Sequence, residues 1–267
     1  HSLAEGTDFI YDPSEYESGA PLSRFAALRS SAPVIWIDEK SLEHWPGGDG
    51  FWIILSHALC TEALKNTAVF SSNLQGTQLR NPANGEDLGY VQEMMLNMDP
   101  PDHSRLRRHL VGAFTSKAIG VLEKKISQHA KSIIDEVIIR YPTGECDFVT
   151  DIAADLPLRC LADIFGIPSE DRYLMYDWAN RVIGYQDPDY AKSFSFDIKS
   201  GSAMAREAIM HRPKPDENGK MPDPRSRSGM NDLYCYAHLL AKHRRKNPKD
   251  DVISILLTQL DLSFIHT

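Results

Sequence analysis

The sequence predicts a mainly α-helical protein with a small β-sheet near its amino end. Two short strand-like runs occur before residue 60, and the later periodicity is almost entirely helical. The clearest helical pattern runs from Ile119 to Ile139, where apolar residues recur on one face at 3.6-residue spacing. The residues of this stripe are Ile119, Leu122, Ile126, Ala130, Ile133, Val137 and Ile138. The pattern predicts that this face packs in the core.

The amino-terminal elements follow from short local patterns. A helix is expected from Pro21 to Ser31, followed by strands from Val34 to Asp38 and from Phe51 to Leu55. The glycine-rich stretch Pro46 to Gly50 precedes a strand and not a helix N-terminus, which favours a hairpin loop over a phosphate-binding loop. The next helix, Ser56 to Lys65, opens with a typical N-cap serine.

Later helices are bounded by residues that break or cap helices. Asp147 to Phe165 is expected to be helical, interrupted at Pro157 and stopped by Gly166. The acidic stretch Ser169 to Asp171 is then expected to cap a helix that reaches Ile183. These signals predict two helices joined by a short turn.

Two segments lack periodicity. The long stretch from Val69 to Tyr90 is rich in polar residues and is expected to be a functional or mobile loop. Met210 to Gly229 is rich in proline, glycine and charge, which predicts an exposed, flexible insertion. Helix is expected again from Asn231 to Arg245, and a last helix begins near Asp250.

Composition and charge exclude several classes of protein. A formal net charge of -8 over 267 residues disfavours electrostatic binding to nucleic acid or to an anionic membrane. No stretch approaches the roughly 18 apolar residues of a membrane span, and no secretory leader is recognisable. The cysteines lack metal-binding spacing and are expected to be reduced thiols: Cys60, Cys146, Cys160 and Cys235. We therefore expect a cytoplasmic protein without nucleic-acid or membrane partners.

The stretch "MLNMDPPDHSRLRRHL" carries the strongest chemical signal. The prolines before Asp102 disfavour helix, so a helix should start at about Asp102 with His103 and Arg107 one turn apart on a shared face. Such a face can donate charge-assisted hydrogen bonds to a carboxylate or phosphate. The alternative is a solvated basic face that complements the helix dipole. Motifs of serine hydrolases, zinc proteases, Walker NTPases and dinucleotide-binding folds are absent from the sequence.

The same stretch, read on as "MDPPDHSRLRRHLVGAFT", resembles the C-helix region of bacterial cytochrome P-450, the haem-thiolate monooxygenases. The resemblance continues in "FWIILSHALCTEALKNTAVFSS", similar to the second strand and B helix, and in "DFVTDIAADLPLRCLADIFGIPSEDR", similar to the E helix. "DWANRVIGYQDPDY" resembles the F helix, and "KNPKDDVISILLTQL" the start of the H helix. The similarities follow the family's order over about residues 7 to 262.

The resemblance implies a fold and a set of sites. The fold would be the amino-terminal portion of the P-450 fold, helices A to H, as a single incomplete domain over residues 1–267. Within it, 1–70 would form the small sheet with helices A and B, 71–93 the B–C substrate loop, and 94–267 the helical part that carries the 210–229 insertion. The cofactor would be haem b, with its propionates bound by His103 and Arg107.

The resemblance also assigns substrate and partner contacts. An apolar substrate would touch Leu79, Val91, Met94 and Met95. A ferredoxin-type electron donor would dock against Arg105 and Arg108. The "DWANRVIG" and "QDPDYA" segments look closest to bacterial enzymes that hydroxylate steroid or sterol side chains, so a steroid or other lipid is the expected substrate.

The sequence departs from the family pattern in one important way. It contains no F-x-x-G-x-x-x-C haem-ligand loop, no acidic-or-glycine pair before a threonine in a long I helix, and no core E-x-x-R pair. The axial cysteine is therefore expected outside this sequence, with neither catalytic residues nor metal ligands within it. The polypeptide on its own is expected to be unstable or to aggregate. The alternative function is a haem-free scaffold or interaction module.

Overall fold

The computed structural model describes residues 6–42, 45–76, 84–184, 201–219 and 221–259. It divides into two compact units. The first contains residues 1–83 and 92–100, and the second contains 84–91 and 101–267.

The first unit contains the small sheet that the sequence predicts. Helix α1 (Leu22–Ser31) precedes β1 (Val34–Ile37), which pairs antiparallel with β4 (Phe51–Ile54). Two two-residue strands, β2 (Ser41–Leu42) and β3 (Trp45–Pro46), form a ribbon between them. Gly50 has a φ of +90°, and a Cβ there would lie 2.6 Å from the Ile37 carbonyl oxygen, so glycine is required at this turn.

Helix α2 (His57–Lys65) follows the sheet in the first unit. It begins after Ser56, whose hydroxyl accepts a hydrogen bond from the Leu59 amide at 3.2 Å. The N-cap that the sequence predicts at Ser56 is therefore confirmed. Ile35 and Ile37 of β1 form a small core together with Tyr11.

The regular structure in the described part of the second unit is helical. Its first helix, α3, ends at a residue that belongs to the first unit. The helices are α3 (Gly85–Gln92), α4 (Asp102–Leu110), α5 (Ser116–Arg140), α6 (Asp155–Phe165), α7 (Arg172–Ile183), α8 (Ala203–Met210), α9 (Asn231–Lys246) and α10 (Val252–Gln259). The core lies between α7, α8 and α9 and consists of Leu174, Trp178, Ala205, Ala208, Met230, Tyr236 and Leu240.

Helix α5 confirms the strongest periodic pattern, but its apolar stripe is only partly covered. Ile133 is 2% exposed where α5 packs on α6, whereas Ile119, Ile126 and Ile138 are exposed. Helix α6 therefore covers only part of the apolar face of α5. The expectation that the whole stripe packs in the core is wrong for these three residues in the described part of the chain.

Helix α6 begins later than its sequence pattern predicts. A π-helical turn, Val149–Ala153, precedes it, and Pro157 lies in its first turn, where the lack of an amide hydrogen costs nothing. The interruption of the helix therefore lies before Pro157, and Pro157 itself is part of α6. The helix ends at Gly166, which adopts a left-handed conformation with φ 73° as predicted.

Three further expectations are corrected. The Val69 to Tyr90 segment is not loop throughout, because α3 begins at Gly85. Helix α8, which was not expected, begins after its N-cap residue Ser202. Asp171 does not cap α7 with its side chain, because that carboxylate accepts hydrogen bonds elsewhere. Within the expected exposed insertion, residues 214–219 are exposed, but Ser226 and Gly229 are buried against the helices.

Candidate functional site

The candidate site is built on helix α4, whose start is fixed by two prolines. Pro100 and Pro101 cannot donate backbone hydrogen bonds, and the helix begins at Asp102 as predicted. The Arg105 amide donates to the Pro101 carbonyl at 2.9 Å, which closes the first helical turn. Asp102 lies in that first turn, where a carboxylate stabilises the positive end of the helix dipole.

His103 and Arg107 share one face of α4. His103 is half-buried and Arg107 is exposed. Within the part of the chain that the structure describes, neither side chain has a hydrogen-bond or ion-pair partner. A guanidinium and an imidazole one helical turn apart, both with free donors, are chemically suited to bind a pair of carboxylates. The donor set therefore fits the propionates of a haem.

The other basic residues of α4 differ from this pair. Arg105 donates to the Asp102 carboxylate at 3.1 Å in an exposed ion pair, and Arg108 is exposed. Such exposed pairs stabilise a protein by less than about 1 kcal/mol. His109 contacts Gln259 of α10, with 3.3 Å between Nδ1 and Oε1, a contact that the sequence pattern did not reveal. Arg105 and Arg108 thus remain accessible side chains.

The expected substrate contacts are distributed over both units. Val91 is buried in α3 and belongs to the second unit. Met94 and Met95 belong to the first unit, where Met94 is 37% exposed and Met95 is half-buried. Leu79 lies outside the described residues.

A polar network beside Met94 and Met95 was missed by the sequence analysis. The Asp99 carboxylate accepts hydrogen bonds from the hydroxyl of Ser71 and from the amide of Ser72, the latter at 2.8 Å. Asn73 donates to the Asn97 carbonyl at 3.0 Å. Serine, asparagine and aspartate at both ends of a long irregular segment were the only sequence signal for it.

A second polar network is buried between α7 and α9. Arg181 donates to the carboxylates of Asp177 and Asp232 and to the Gly229 carbonyl, and Arg212 also donates to Asp177. Burial raises the pKa of Asp177, although both arginines oppose that shift. Every member has a charged partner, so this network fastens the 211–230 segment to the helical core.

The Asp171 carboxylate joins three elements in the same core. It accepts hydrogen bonds from the amide and hydroxyl of Ser202 at 2.7 and 2.6 Å, and from the Tyr236 hydroxyl at 2.7 Å. Burial and the bond to Asp171 raise the pKa of Tyr236, which keeps its proton as a donor. Asp171 therefore stabilises the N-terminus of α8.

The four cysteines, all within the described part of the chain, are free thiols. Burial raises the pKa of the thiols of Cys160 and Cys235, which favours the protonated form. The Cys60 thiol donates to the Ile54 carbonyl, and Cys146 is exposed. Among the described residues, no group of three or more histidine, cysteine or acidic side chains could hold a metal ion.

The described part of the second unit contains clefts between its helices. One of about 300 Å³ is lined by α5, α6 and the start of α10, and one of about 620 Å³ lies where α6, α7 and α9 end or begin. Neither cleft is lined by a residue that the sequence analysis placed in the site. No helix in the described part of the chain is both long and apolar enough to cross a membrane.

Comparison with known proteins supports the family resemblance. The chain is 32% identical over 262 residues to a steroid C26-monooxygenase of Mycobacterium tuberculosis, covering 96% of this chain and 52% of that protein. It is 28% identical over 233 residues to a methyl-branched lipid omega-hydroxylase of Mycobacterium bovis, covering 87% of this chain and 47% of that protein. No protein-family model matches the chain.

Solved structures give the same result. The structure of cytochrome P-450 CYP268A2 from Mycobacterium marinum, in complex with pseudoionone, matches with a TM-score of 0.65 and 28% identity. The match covers 97% of this chain and 55% of that one. The resemblance to bacterial cytochrome P-450 is thus confirmed, and the chain has part of the P-450 fold. The chain spans about half the length of the curated relatives it matches.

Proposed function

We propose that this chain forms part of a haem-dependent monooxygenase that hydroxylates an apolar, lipid-like substrate with O₂ and electrons from a redox partner. The observation that carries the proposal is the pair His103 and Arg107, which share a face of α4 and have no partner among the described residues. A haem-free protein would gain little from leaving these two side chains unpaired.

His103 and Arg107 would hold the carboxylates of haem b and fix its orientation. The haem, when bound, supplies the oxygen chemistry, and the protein supplies shape, dryness and orientation around it. Its axial cysteine is expected outside this sequence, because no cysteine of the chain lies in an F-x-x-G-x-x-x-C loop.

The substrate is proposed to be a steroid or another branched lipid. Two relatives support this choice, since one is named a steroid C26-monooxygenase and the other a methyl-branched lipid omega-hydroxylase. Leu79, Val91, Met94 and Met95 would contribute apolar contacts. Methionine suits such a pocket because its unbranched side chain adapts to irregular shapes.

Electrons are proposed to come from a ferredoxin-type protein that docks against α4. Arg105 and Arg108 are both exposed. Their charges would attract an acidic partner and mainly increase the rate of association. The exposed pair of Arg105 with Asp102 is weak enough to be exchanged for a partner carboxylate.

The second candidate is a haem-free scaffold or interaction module. It is favoured by one observation, that the sequence contains no F-x-x-G-x-x-x-C haem-ligand loop. In that case His103 and Arg107 would be an unused pair.

The absorption spectrum of the reduced, carbon-monoxide-treated full-length protein separates the two candidates. The monooxygenase proposal expects bound haem and a Soret band red-shifted to the position typical of thiolate ligation. A full-length protein of the correct intact mass that purifies without haem, and does not take it up when haem is added, would support the scaffold instead.

A further inference from the structure

The residues before α4 contain a set of hydrogen bonds centred on Asp99. Its two carboxylate oxygens accept separately from the Ser71 hydroxyl and the Ser72 amide. The Ser71 oxygen in turn accepts from the amides of Asn73 and Leu74, both at 3.1 Å. Asp99 thereby fixes the backbone of a turn that lies more than twenty residues earlier in the chain.

That turn also holds the stretch that contains Met94 and Met95. The Asn73 side chain donates to the Asn97 carbonyl at 3.0 Å, and the Gln92 side chain donates to the Asn73 carbonyl at 2.6 Å. Asn97 is 3% exposed, so its polar groups are shielded from water. Gln92 and Asn97 lie on either side of Met94 and Met95, and Asn73 is therefore bonded to both ends of that stretch.

The stretch between these contacts has a tight local conformation. A 3₁₀ turn spans Met95–Asn97, with the Asn97 amide donating to the Met94 carbonyl at 2.8 Å. Fixing the ends of an irregular segment removes conformational freedom that the segment would otherwise lose when it orders around a ligand. Side chains held in this way are preorganised for binding.

We propose that Asp99 is a positioning residue that, through Ser71 and Asn73, sets the placement of Met94 and Met95 and with it the affinity for the apolar substrate. The effect on substrate affinity rests on the proposed function. The hydrogen-bond latch, formed by Asp99, Ser71 and Asn73 with Asn97, does not depend on that function. Asp99 would not touch the substrate. The charge on Asp99 suits this role, because the hydrogen bond from Ser71 first, and then the Ser72 amide, lower the pKa of its carboxyl group.

The experiment compares Asp99→Ala and Ser71→Ala in the full-length protein with two controls. Asp102→Ala removes an exposed carboxylate three residues later that pairs only with Arg105 among the described residues. Ser71→Thr retains the hydroxyl and should rescue the latch. Amide hydrogen exchange is measured at residues 72–74, 97 and 98, and the affinities of testosterone and pseudoionone are measured from their effect on the haem spectrum.

Exchange at these amides is expected to accelerate about tenfold or more in both alanine variants, and the affinity of at least one probe to fall about tenfold, with haem content unchanged. In Asp102→Ala and Ser71→Thr, the exchange rates and the probe affinities should stay within about twofold of those of the unaltered protein. Unchanged exchange in Asp99→Ala would overturn the latch. If exchange accelerates but probe affinity does not change, the latch is supported and the role of Asp99 in substrate affinity is overturned.

Failure of the proposed function gives a different result. If the unaltered protein binds neither haem nor probe, the substrate role is overturned together with the proposed function. The exchange measurement still decides the latch in that case, since it needs no ligand.

Discussion

The cations of α4 and those of the α7–α9 core lie in the same compact unit but differ in burial and in hydrogen-bond partners. Arg181 and Arg244 are each 4% exposed and donate to carboxylates and backbone carbonyls. His103 and Arg107 have no such partner in the described residues. A buried charge is tolerated only when it is paired, so the core arginines are structural. An accessible pair that has no partner in the described part of the chain is instead able to bind a ligand.

The largest effect should come from breaking the core network. Arg181→Met leaves the carboxylates of Asp177 and Asp232 buried with fewer partners, and we expect it to lower the free energy of unfolding by about 3–5 kcal/mol. Arg108→Met, the same substitution on the exposed face of α4, should change it by less than about 0.5 kcal/mol. Chemical denaturation of both variants measures the difference. Equal stabilities would show that the buried network contributes nothing.

The next effect should appear in haem affinity and not in stability. Arg107→Ala removes a charge-assisted donor to a propionate, which is expected to weaken haem binding by about 1.5–3 kcal/mol. The unfolding free energy of the haem-free protein should change by less than about 0.5 kcal/mol, since Arg107 is exposed. Transfer of haem to apomyoglobin gives the affinity. A fall in stability with unchanged transfer would place Arg107 with the structural cations.

A smaller effect is expected from pH at the α5–α6 contact. Hydrogen bonds from Arg159 first, and then from Ser132, lower the pKa of Glu136 to about 2. A lowered folded-state pKa stabilises the protein above the unfolded pKa of about 4.3, and that contribution is lost as the pH falls towards 2. Glu136 is 45% exposed, so solvent screening limits the contribution to about 1 kcal/mol. Glu136→Gln should remove this part of the pH dependence in denaturation curves between pH 5 and about pH 2.

The smallest effect should come from Arg105. Its ion pair with Asp102 is exposed on both sides, and Arg105→Ala should change the unfolding free energy by less than about 0.5 kcal/mol. The expected consequence is kinetic: a slower association with an acidic ferredoxin that becomes less marked as salt is added. Stopped-flow reduction at two ionic strengths tests this expectation. A rate that is independent of both Arg105 and salt would place the electron donor elsewhere.

Local signals in the sequence predicted the fold where the structure depends on local rules. The β1–β4 hairpin, the Ser56 cap, the start of α4 and the Gly166 stop all follow from patterns within a few residues. Helix α3 was missed because it lies at the end of a segment rich in polar residues, and the eight-residue helix α8 was not recognised. Short helices are stabilised mainly by packing, which periodicity does not reveal.

Long-range partners explain the remaining errors. Asp171 looks like a helix cap in the sequence, but its partners Ser202 and Tyr236 lie 31 and 65 residues away. The spacing of Asp177 and Arg181 suggests an ordinary helical ion pair, and only the structure reveals Asp232 beside it. The face of His103 and Arg107 was predicted correctly because both residues lie on one helix. That neither has a partner among the described residues became visible only in the structure.

The measurement that tests the central claim most directly is haem retention in two double variants of the full-length protein. One carries His103→Ala with Arg107→Ala, and the other carries Arg105→Ala with Arg108→Ala, so both lose two basic side chains from the same helix. We expect the first to lose haem at least tenfold more readily than the unaltered protein, and the second to retain it. Equal retention in the two variants would contradict the assignment of His103 and Arg107 to the haem carboxylates.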